Sequence, residues 1–484
     1  MPTLYGDHSN SVAGRITRAS FINSLCCQQN LLELTIYGQI EGNGYVELAA
    51  LLSHYASKIT SLRLNSIPSD ESLTILSIKK FEFFSNRLDN ITATGWRAFS
   101  AVLSDKTCAL ETLSLECTKM DYESATFLGD SLAANTTVKY LSLQGSRYIT
   151  PGGWDGFACC LRSPHSALEE LDISMCNSAN DDESDVEDDS DENDTPLNDY
   201  GAIAIAESLA MNSSLKKLNL SWNWITPEGW IEFFDVLLHS ECSLEELDLS
   251  HNDIDDEGVD ALVDLLASMR NFHTLSLHPN SFSMTGLRAL TRLLQPSYNV
   301  ESIIIGRTEE LFLQSERDRF NDEVAIEFAD VLANNTSLNT LSFGGREVTG
   351  RGWTAFFHAL CDKSSIDSTF SSNHSLHDIE AINGLREDIP DDLSSLLNMN
   401  RNQDKAAVAR QKVLEQHFSS SSATIEVFVG MSASALPRAI EWIGRDNLGS
   451  SLMHHVAREI PLLFKSKDIV RKKRKHFSSD ELSL

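Results

Sequence analysis

One nine-residue sequence pattern occurs three times in the middle of this chain at an almost constant spacing, and we call each copy a line. LKKLNLSWN begins at Leu215, LEELDLSHN at Leu244 and FHTLSLHPN at Phe272, so the spacings are 29 and 28 residues. Each copy reads L-x-x-L-x-L-x-x-N or a close variant, and a turn and apolar residues at helical spacing follow it. A short strand and a helix that repeat with a fixed period of this length predict stacked repeats rather than one central core.

Related lines extend the pattern on both sides. They begin at Leu31, Ile59, Ile78, Leu110, Val138, Leu168, Val300 and Leu338, and a degenerate twelfth line is predicted near Ile366. Because side chains alternate along a strand, the apolar residues at the fourth and sixth positions of each line are predicted to face the core. The ninth position is Asn86, Asn223, Asn252 or Asn280 in four lines and Cys176 in another. Asparagine there suits a turn in which the side chain binds free backbone groups.

The segments between the lines alternate between two types. One type is rich in alanine, and the other contains T-x-x-G-W or a close variant, with Trp96, Trp154, Trp230 and Trp353. Each segment is predicted to form a helix on the back of the sheet, because parallel strands need a crossover connection. We expect the four tryptophans to pack between neighbouring helices rather than to bind a ligand.

This alternating pattern resembles the ribonuclease-inhibitor-like class of leucine-rich repeats over residues 25–375. The class includes ribonuclease inhibitor, the Ran GTPase-activating protein and the repeat domains of NOD-like receptors. The resemblance implies an α/β solenoid in the form of a horseshoe, with a concave parallel sheet, outer helices and binding as the default role. Two later segments, NMNRNQDKAAVARQKVLEQHF and AIEWIGRDNLGSSLMHHV, resemble the tail of algal repeat proteins of this class.

An acidic insertion interrupts the period after the line that begins at Leu168. It covers residues 177–198, and ten of the fourteen residues 181–194 are Asp or Glu. Such a run repels itself and buries little apolar surface, so we expect a disordered loop. Ser184 and Ser190 within it are candidate phosphorylation sites, and Ser184 fits an acidophilic kinase better because acidic residues follow it more closely. A solvated loop without a partner is the alternative.

The predicted domain organisation has three parts. A leucine-rich-repeat solenoid covers residues 1–375, a helical C-terminal cap covers 376–464, and a disordered basic tail covers 465–484. A cap is expected because a repeat array needs a terminal element to cover its last open face.

The charge of the chain is very uneven. The formal net charge is −31, which argues against nonspecific binding of nucleic acid by the body and favours a basic partner. The tail nevertheless carries a run of five basic residues, Arg471, Lys472, Lys473, Arg474 and Lys475. Such a run is typical of a nuclear import signal or of a contact with an anionic surface, and a solvated tail is the alternative. The location predicted is the cytoplasm, the nucleus or both.

Several classes of function find no support in the sequence. The N-terminal residues lack the apolar core of a secretory signal, and no stretch of 18 consecutive apolar residues predicts a membrane span. The nine cysteines include no C-x-x-C pair, which favours a reduced intracellular compartment. There is no phosphate-binding loop and no H-E-x-x-H motif. We therefore predict no enzyme activity, no cofactor and no metal site.

The exposed positions of the central lines predict one acidic, partner-binding patch on the concave face. Neighbouring strands lie about 4.8 Å apart, so these side chains are expected to be close together. The residues predicted to bind a partner are Glu169, Glu170, Asp172, Trp222, Glu245, Glu246, Asp248, His251 and His273. An aromatic anchor among charged residues is typical of protein interfaces. The alternative is that these residues are common fillers of exposed repeat positions.

The leading hypothesis is an intracellular, non-enzymatic scaffold that binds a protein, with a basic partner favoured. One alternative is a GTPase activator that resembles the Ran activator and supplies a surface to a small GTPase. The other is an acidic nuclear chaperone for histones or other basic proteins. An activator would accelerate GTP hydrolysis, whereas a chaperone would bind histones strongly at low salt without turnover.

Overall fold

The structure of the 484-residue chain is a computed structural model. It describes residues 33–36, 61–64, 79–84, 93–118, 120–176, 197–240, 242–305, 320–344, 348–381 and 389–418. The chain divides into two compact units. The first consists of Met1–Leu293 and Tyr298–Arg319, and the second of Leu294–Ser297 and Phe320–Leu484.

The first unit is built around ten parallel strands, each hydrogen-bonded to the next one in chain order. The strands are β1 (Glu33–Ile36), β2 (Ser61–Leu64), β3 (Lys80–Phe84), β4 (Thr112–Glu116), β5 (Tyr140–Ser142), β6 (Glu170–Asp172), β7 (Lys217–Asn219), β8 (Glu246–Asp248), β9 (Thr274–Ser276) and β10 (Ser302–Ile305). Each begins two residues after the predicted start of its line, so these ten predicted strands are confirmed. The leucines at the fourth position, such as Leu218 and Leu247, are paired in register and buried.

Helices return the chain between most of the described strands. They are α1 (Ala93–Leu103), α2 (Tyr122–Ala134), α3 (Pro151–Arg162), α4 (Asp199–Leu209), α5 (Pro227–Leu238), α6 (Asp256–Ser268) and α7 (Met284–Leu290), followed by a 3-10 turn over Thr291–Leu294. Trp96, Trp154 and Trp230 are completely buried, so the packing role predicted for them is confirmed. Each lies edge-on against the phenylalanine one turn later, as between Trp154 and Phe157 with 5.8 Å between ring centroids.

The helices with T-x-x-G-W begin in one common way. Thr226 caps α5, and its hydroxyl accepts the backbone N–H of Gly229 at 3.1 Å. Thr150 caps α3 in the same way, and both helices have proline as their first residue. Proline suits this position because its fixed φ is helical and the N–H that it lacks would have no partner within the helix. The motif is therefore a helix start that places the tryptophan in the core.

The ninth-position asparagines join neighbouring repeats, as the sequence predicts. Asn223 Nδ2 donates to the carbonyls of Ile173 at 3.0 Å and of Leu220 at 2.9 Å, and its Oδ1 accepts the N–H of Cys176 at 3.1 Å. The buried amide therefore satisfies backbone groups on two repeats. The Sγ of Cys176 donates to the carbonyl of Leu143 at 3.4 Å, which makes the same link to the previous repeat.

A second set of buried asparagines, which was not predicted from the sequence, lies where the helices end. Asn212 Nδ2 donates to the carbonyl of Leu161, the end of the helix one repeat earlier, at 2.8 Å. Its Oδ1 accepts the N–H groups of Ser214 and Leu215 just before β7. Asn135 makes the equivalent bonds one pair of repeats earlier. The sequence does contain a signal for this second set, because in the alanine-rich repeats an asparagine lies three residues before the first residue of the next line.

The second unit contains two parallel strands and five helices in its described residues. These elements are α8 (Asp322–Leu332), β11 (Thr340–Phe343), α9 (Gly350–Leu360), α10 (Ile366–Ser371), β12 (Asp378–Ala381), α11 (Asp391–Asn400) and α12 (Lys405–Phe418). The strand predicted from the line at Leu338 is confirmed, but the degenerate line near Ile366 is wrong. Ile366 starts a helix that Ser365 caps, and the last strand comes from a line that begins at Leu376. Ile379 and Ala381 replace the leucines there, which hid the line.

Two lysines of α12 bind the ends of other helices in the second unit. Lys412 is completely buried, and its Nζ donates to the carbonyls of Leu360 at 2.7 Å and Asn373 at 2.9 Å. Lys405 Nζ donates to the carbonyl of Asn400 at 2.7 Å. Burial lowers the pKa of Lys412 to about 7. The cap over 376–464 stays a prediction, because its residues after Phe418 lie outside the described part of the chain.

Candidate functional site

The nine residues predicted to bind a partner lie on four consecutive strands, β6 to β9, or next to them. Their side chains belong to the surface of the sheet that faces away from the helices, which we name the open face. The register pairs Glu170 with Lys217 and Lys217 with Glu246, and it pairs Asp172 with Asn219 and Asn219 with Asp248. The residues form parallel rows across the strands, and the two rows of glutamates differ in their ion pairing from the row that contains the aspartates.

The row just before the strands alternates in charge. Glu169 Oε1 lies 3.0 Å from Lys139 Nζ, and Glu169 Oε2 lies 3.7 Å from Lys216 Nζ. The hydrogen bond from Lys139 lowers the pKa of Glu169, and the same bond raises the pKa of Lys139. At the other end of the row, Glu245 Oε2 lies 3.7 Å from His273 Nε2. These glutamates therefore already have neighbours that can balance their charge.

The next row repeats this compensation. Lys217 Nζ lies 3.2 Å from Glu246 Oε1 and 3.7 Å from Glu170 Oε1. The hydrogen bond with Glu246 contributes most to raising the pKa of Lys217. The partners come from repeats that are distant in sequence, so the sequence lines do not show the pairing directly. Glu169, Glu170 and Glu246 are each paired with a lysine, so the open face is less acidic than the four glutamates suggest. The neighbour of Glu245 is His273, which carries a charge only when it is protonated.

The two aspartates of the patch differ from the glutamates. Asp172 Oδ1 accepts the N–H of Ser174 at 3.0 Å, and Asp248 Oδ1 accepts the N–H of Ser250 at 2.9 Å. Within the described ranges, no basic side chain lies at ion-pair distance from either aspartate. Asn219 lies between them in the register. The open face thus presents two carboxylates without a cationic partner, two strands apart.

A stacked aromatic pair lies at the ends of β7 and β8. The rings of Trp222 and His251 are parallel within 11°, with 3.6 Å between centroids. His278 lies edge-on to His251, with 6.4 Å between centroids. Trp222 is partly exposed to solvent. The pair therefore provides an aromatic surface at the ends of these two strands.

An unusual backbone conformation fixes this pair. Trp222 has a φ of 58° and His251 a φ of 56°, and the equivalent Met175 also has a positive φ. This left-handed region is unfavourable for residues with a β-carbon. In Trp222 and Met175 it is held because the N–H donates to the next repeat, to the carbonyl of Ser250 at 2.9 Å and to that of Ser221 at 3.0 Å. The backbone of the repeats therefore positions the stack.

Comparisons with known proteins agree with this repeat geometry. A family model described as a leucine-rich repeat matches residues 212–233 and 241–263. Human NACHT, LRR and PYD domains-containing protein 14 is 23% identical over 288 residues, which is 58% of this chain and 24% of that protein. Mouse ribonuclease inhibitor is 25% identical over 298 residues, which is 56% of this chain and 60% of that protein. This chain is built of leucine-rich repeats similar to those of ribonuclease inhibitor.

The predicted fold class is therefore confirmed, and the architecture of this leucine-rich-repeat protein is that of a protein-binding scaffold. The matched region of the NACHT, LRR and PYD relative is 24% of its length, so its activity as a whole is not transferred. In the part of the chain that the structure describes, no group of three or more His, Cys, Asp or Glu side chains could hold a metal ion. None of the described helices is long and apolar enough to cross a membrane.

Some predicted features of the repeat protein are corrected or lie outside the described residues. Strand alternation also predicts exposed serines at the seventh position of the lines that begin at Leu168 and Leu215, but these residues, Ser174 and Ser221, are buried. They lie after the strands end, where the chain turns and the alternation stops. Ser184, Ser190 and the basic residues Arg471, Lys472, Lys473, Arg474 and Lys475 lie outside the described residues. The resemblance to algal tails stays a prediction.

Proposed function

We propose that this leucine-rich-repeat protein is a non-enzymatic scaffold that binds a basic protein surface through its open face. The observation that carries the proposal is that Asp172 on β6 and Asp248 on β8 have no cationic partner among the described residues, while the stacked rings of Trp222 and His251 lie at the ends of β7 and β8. We infer that the partner offers lysine or arginine side chains to these carboxylates and an apolar contact to Trp222.

The pairing of the glutamates makes the two aspartates the more effective part of the surface. A cation that approaches Glu169 or Glu246 competes with a lysine that is already there. A cation that approaches Asp172 or Asp248 gains a new ion pair. Tryptophan is among the residues that most often dominate the binding free energy of protein interfaces. We therefore expect Trp222 and the two aspartates to control how long the complex lasts.

The overall charge supports a role in the approach of the partner. The chain carries a net charge of −31, and residues 181–194 contain ten Asp or Glu. Attraction at this range is screened by salt and mainly raises the association rate. The seven cysteines in the described residues are free thiols, which supports a reduced compartment, and we place the protein in the cytoplasm, the nucleus or both.

The test is binding kinetics with the partner recovered by affinity purification and mass spectrometry. Trp222→Ala should raise the dissociation rate about 30-fold, which corresponds to about 2 kcal/mol. Asp172→Asn with Asp248→Asn should also raise it, by about tenfold. The matched control is Glu170→Gln, because Glu170 is already paired with Lys217, and we expect a change of less than about twofold there. Dissociation rates that stay unchanged in all variants would show that the partner binds elsewhere.

Two further assays separate this function from the alternatives. Acceleration of GTP hydrolysis by a panel of small GTPases would indicate an activator instead. Strong binding to core histones at low salt that does not depend on Trp222 would indicate a general acidic chaperone. Binding that depends on Trp222 at physiological salt would support the scaffold.

A further inference from the structure

Four exposed aromatic residues lie on one edge of the first unit. Tyr122, Tyr148, Tyr200 and Trp224 are 57%, 56%, 60% and 63% exposed. They follow β4, β5, β6 and β7 respectively, in the region where each strand ends and the next helix begins. We name these four residues the aromatic edge. It is a different surface from the open face, because each member lies within two residues of the residue that caps the next helix, whereas Trp222 and His251 lie nearer to the ends of β7 and β8.

The four residues occupy related positions in consecutive repeats. Tyr148 and Trp224 each precede by two residues the threonine that caps the next helix, Thr150 or Thr226. The other two lie in the first turn of their helices: Tyr122 is the first residue of α2, and Tyr200 is the second residue of α4.

The helices α2, α3, α4 and α5 pack side by side in this order, so the four residues of the aromatic edge lie at the starts of neighbouring helices. A β-carbon on Gly152 would lie 3.5 Å from the ring of Tyr122, which shows that this ring lies against the start of α3. The aromatic edge ends after Trp224, because the equivalent positions before the caps of α6 and α7 are Asp253 and Ser281.

The core does not require these rings. The buried tryptophans of the same repeats, Trp154 and Trp230, already fill the space between the helices. Large exposed aromatic side chains at the starts of neighbouring helices are unusual on a protein surface and are enriched at sites of protein binding.

The charge at this edge indicates the chemistry of the partner. Glu228 and Asp253 are exposed in the same strand-to-helix regions, and Glu123 is exposed there as well but is already paired with Arg97 at 2.9 Å. The acidic insertion also starts and ends there, because Cys176 and Leu197, the last and first described residues on its two sides, lie between β6 and α4. Aromatic rings surrounded by carboxylates suit side chains with an apolar stem and a cationic end, because the ring faces attract cations.

We propose that the aromatic edge binds an extended segment of a partner protein in which arginine or lysine alternates with small aliphatic residues. The rings contact the stems of the basic side chains, and the carboxylates of the edge contact their cationic groups. The inference rests on the proposed function for the positive charge of the partner, but it assigns a different surface. Its experiment therefore uses a peptide and variants that leave the open face unchanged.

The probe is a fluorescein-labelled peptide of twelve residues in which arginine alternates with alanine, measured by fluorescence anisotropy with the full chain. Tyr148→Ser combined with Trp224→Ser should weaken binding at least about tenfold. The matched control is Met211→Ser, because Met211 is exposed at 74% just after the end of α4 and not at its start. We expect the control to change the dissociation constant by less than about twofold. Circular dichroism verifies that both variants stay folded.

The outcomes distinguish this inference from the proposed function. Two results would overturn the proposal that the aromatic edge binds this segment. They are unchanged peptide binding in the Tyr148/Trp224 variant and equal binding of a peptide with glutamate in place of arginine. Neither result bears on the open face, which this assay does not test. Loss of peptide binding in that variant, together with unchanged partner kinetics in the Trp222 and aspartate variants, would support the edge and overturn the open-face proposal. If the chain sediments with phosphatidylserine vesicles in a way that depends on Trp224 but does not bind the peptide, the edge binds a lipid surface. This result would overturn the proposal that it binds a protein segment.

Discussion

The carboxylate of Asp199 occupies the space that a β-carbon on Gly229 would need. It is held there by the N–H and the hydroxyl of Thr226, at 2.7 Å and 2.6 Å. The second unit repeats the arrangement, because a β-carbon on Gly352 would lie 2.6 Å from Asp322 Oδ1. In these two copies of the T-x-x-G-W motif, the glycine is therefore required by an aspartate at the start of the previous helix.

The first prediction follows from this contact. Gly229→Ala should lower the free energy of unfolding by about 1–3 kcal/mol, because the new methyl group displaces a carboxylate that makes two hydrogen bonds. Urea unfolding monitored by circular dichroism measures the change. The control is Gly350→Ala, also at a helix start, where a β-carbon would meet no atom within 4 Å. In an Asp199→Ala background the cost of Gly229→Ala should fall, and equal costs in both backgrounds would contradict the explanation.

The second prediction tests the register of the central strands. Leu247 is buried in β8, whereas its neighbour Glu246 is partly exposed and paired with Lys217. Leu247→Ala should lower the free energy of unfolding by about 2–5 kcal/mol, as is usual for buried leucines. Glu246→Ala should change it by about 0.5 kcal/mol or less, because exposed ion pairs contribute little. Similar losses in the two urea titrations would show that the assigned register is wrong.

The third prediction concerns the buried ammonium group of Lys412. Its pKa is about 7 in the folded chain and 10.5 in the absence of burial, so the unfolded chain binds the proton more tightly between these values. The contribution of Lys412 to the free energy of unfolding is therefore fully favourable only above pH 10.5, and it is lost as the pH falls towards 7. Over this window the free energy of unfolding of the second unit should rise with pH, by up to about 1.4 kcal/mol per pH unit.

Substitution separates this effect from the other groups that titrate nearby. Burial raises the pKa of Cys361 and lowers the pKa of Lys405, so the measured quantity is the difference between variant and wild type. Urea unfolding from pH 7 to pH 9 should show a shallower rise for Lys412→Met than for the wild type. Lys363→Met removes an exposed lysine of the same unit and should leave the slope unchanged. Identical slopes for wild type and Lys412→Met would refute the titration of Lys412 in this range.

The fourth prediction concerns the basic run at residues 471–475. We expect it to direct nuclear import, because five consecutive basic residues in an acidic chain are typical of such signals. Replacement of Lys472, Lys473 and Arg474 by alanine should move a fluorescent fusion from the nucleus to the cytoplasm. Replacement of the three by other basic residues is the control and should preserve import. If the wild type and the alanine variant are distributed equally between nucleus and cytoplasm, the basic run is a solvated end and not an import signal.

The period of the chain was readable from the sequence because it depends on local chemistry. Strand alternation makes the leucines at the fourth and sixth positions appear at fixed places, and the asparagine at the ninth position marks the turn. These signals located β1 to β11 two residues after the start of each line. They failed at β12, where Ile379 and Ala381 replace leucine and the asparagine of the turn is absent from its place.

The character of the open face depended on residues that are far apart in the chain. The sequence lines showed Glu169, Glu246 and Asp248 as equivalent acids, but the tertiary structure pairs the two glutamates with lysines of neighbouring strands and gives the aspartate no cation among the described residues. Parallel stacking brings residues from successive repeats within a few ångströms of each other, and a Coulomb interaction depends on that distance and not on sequence separation. The repeat period therefore came from the sequence, whereas the register between repeats decided which charges remain available to a partner.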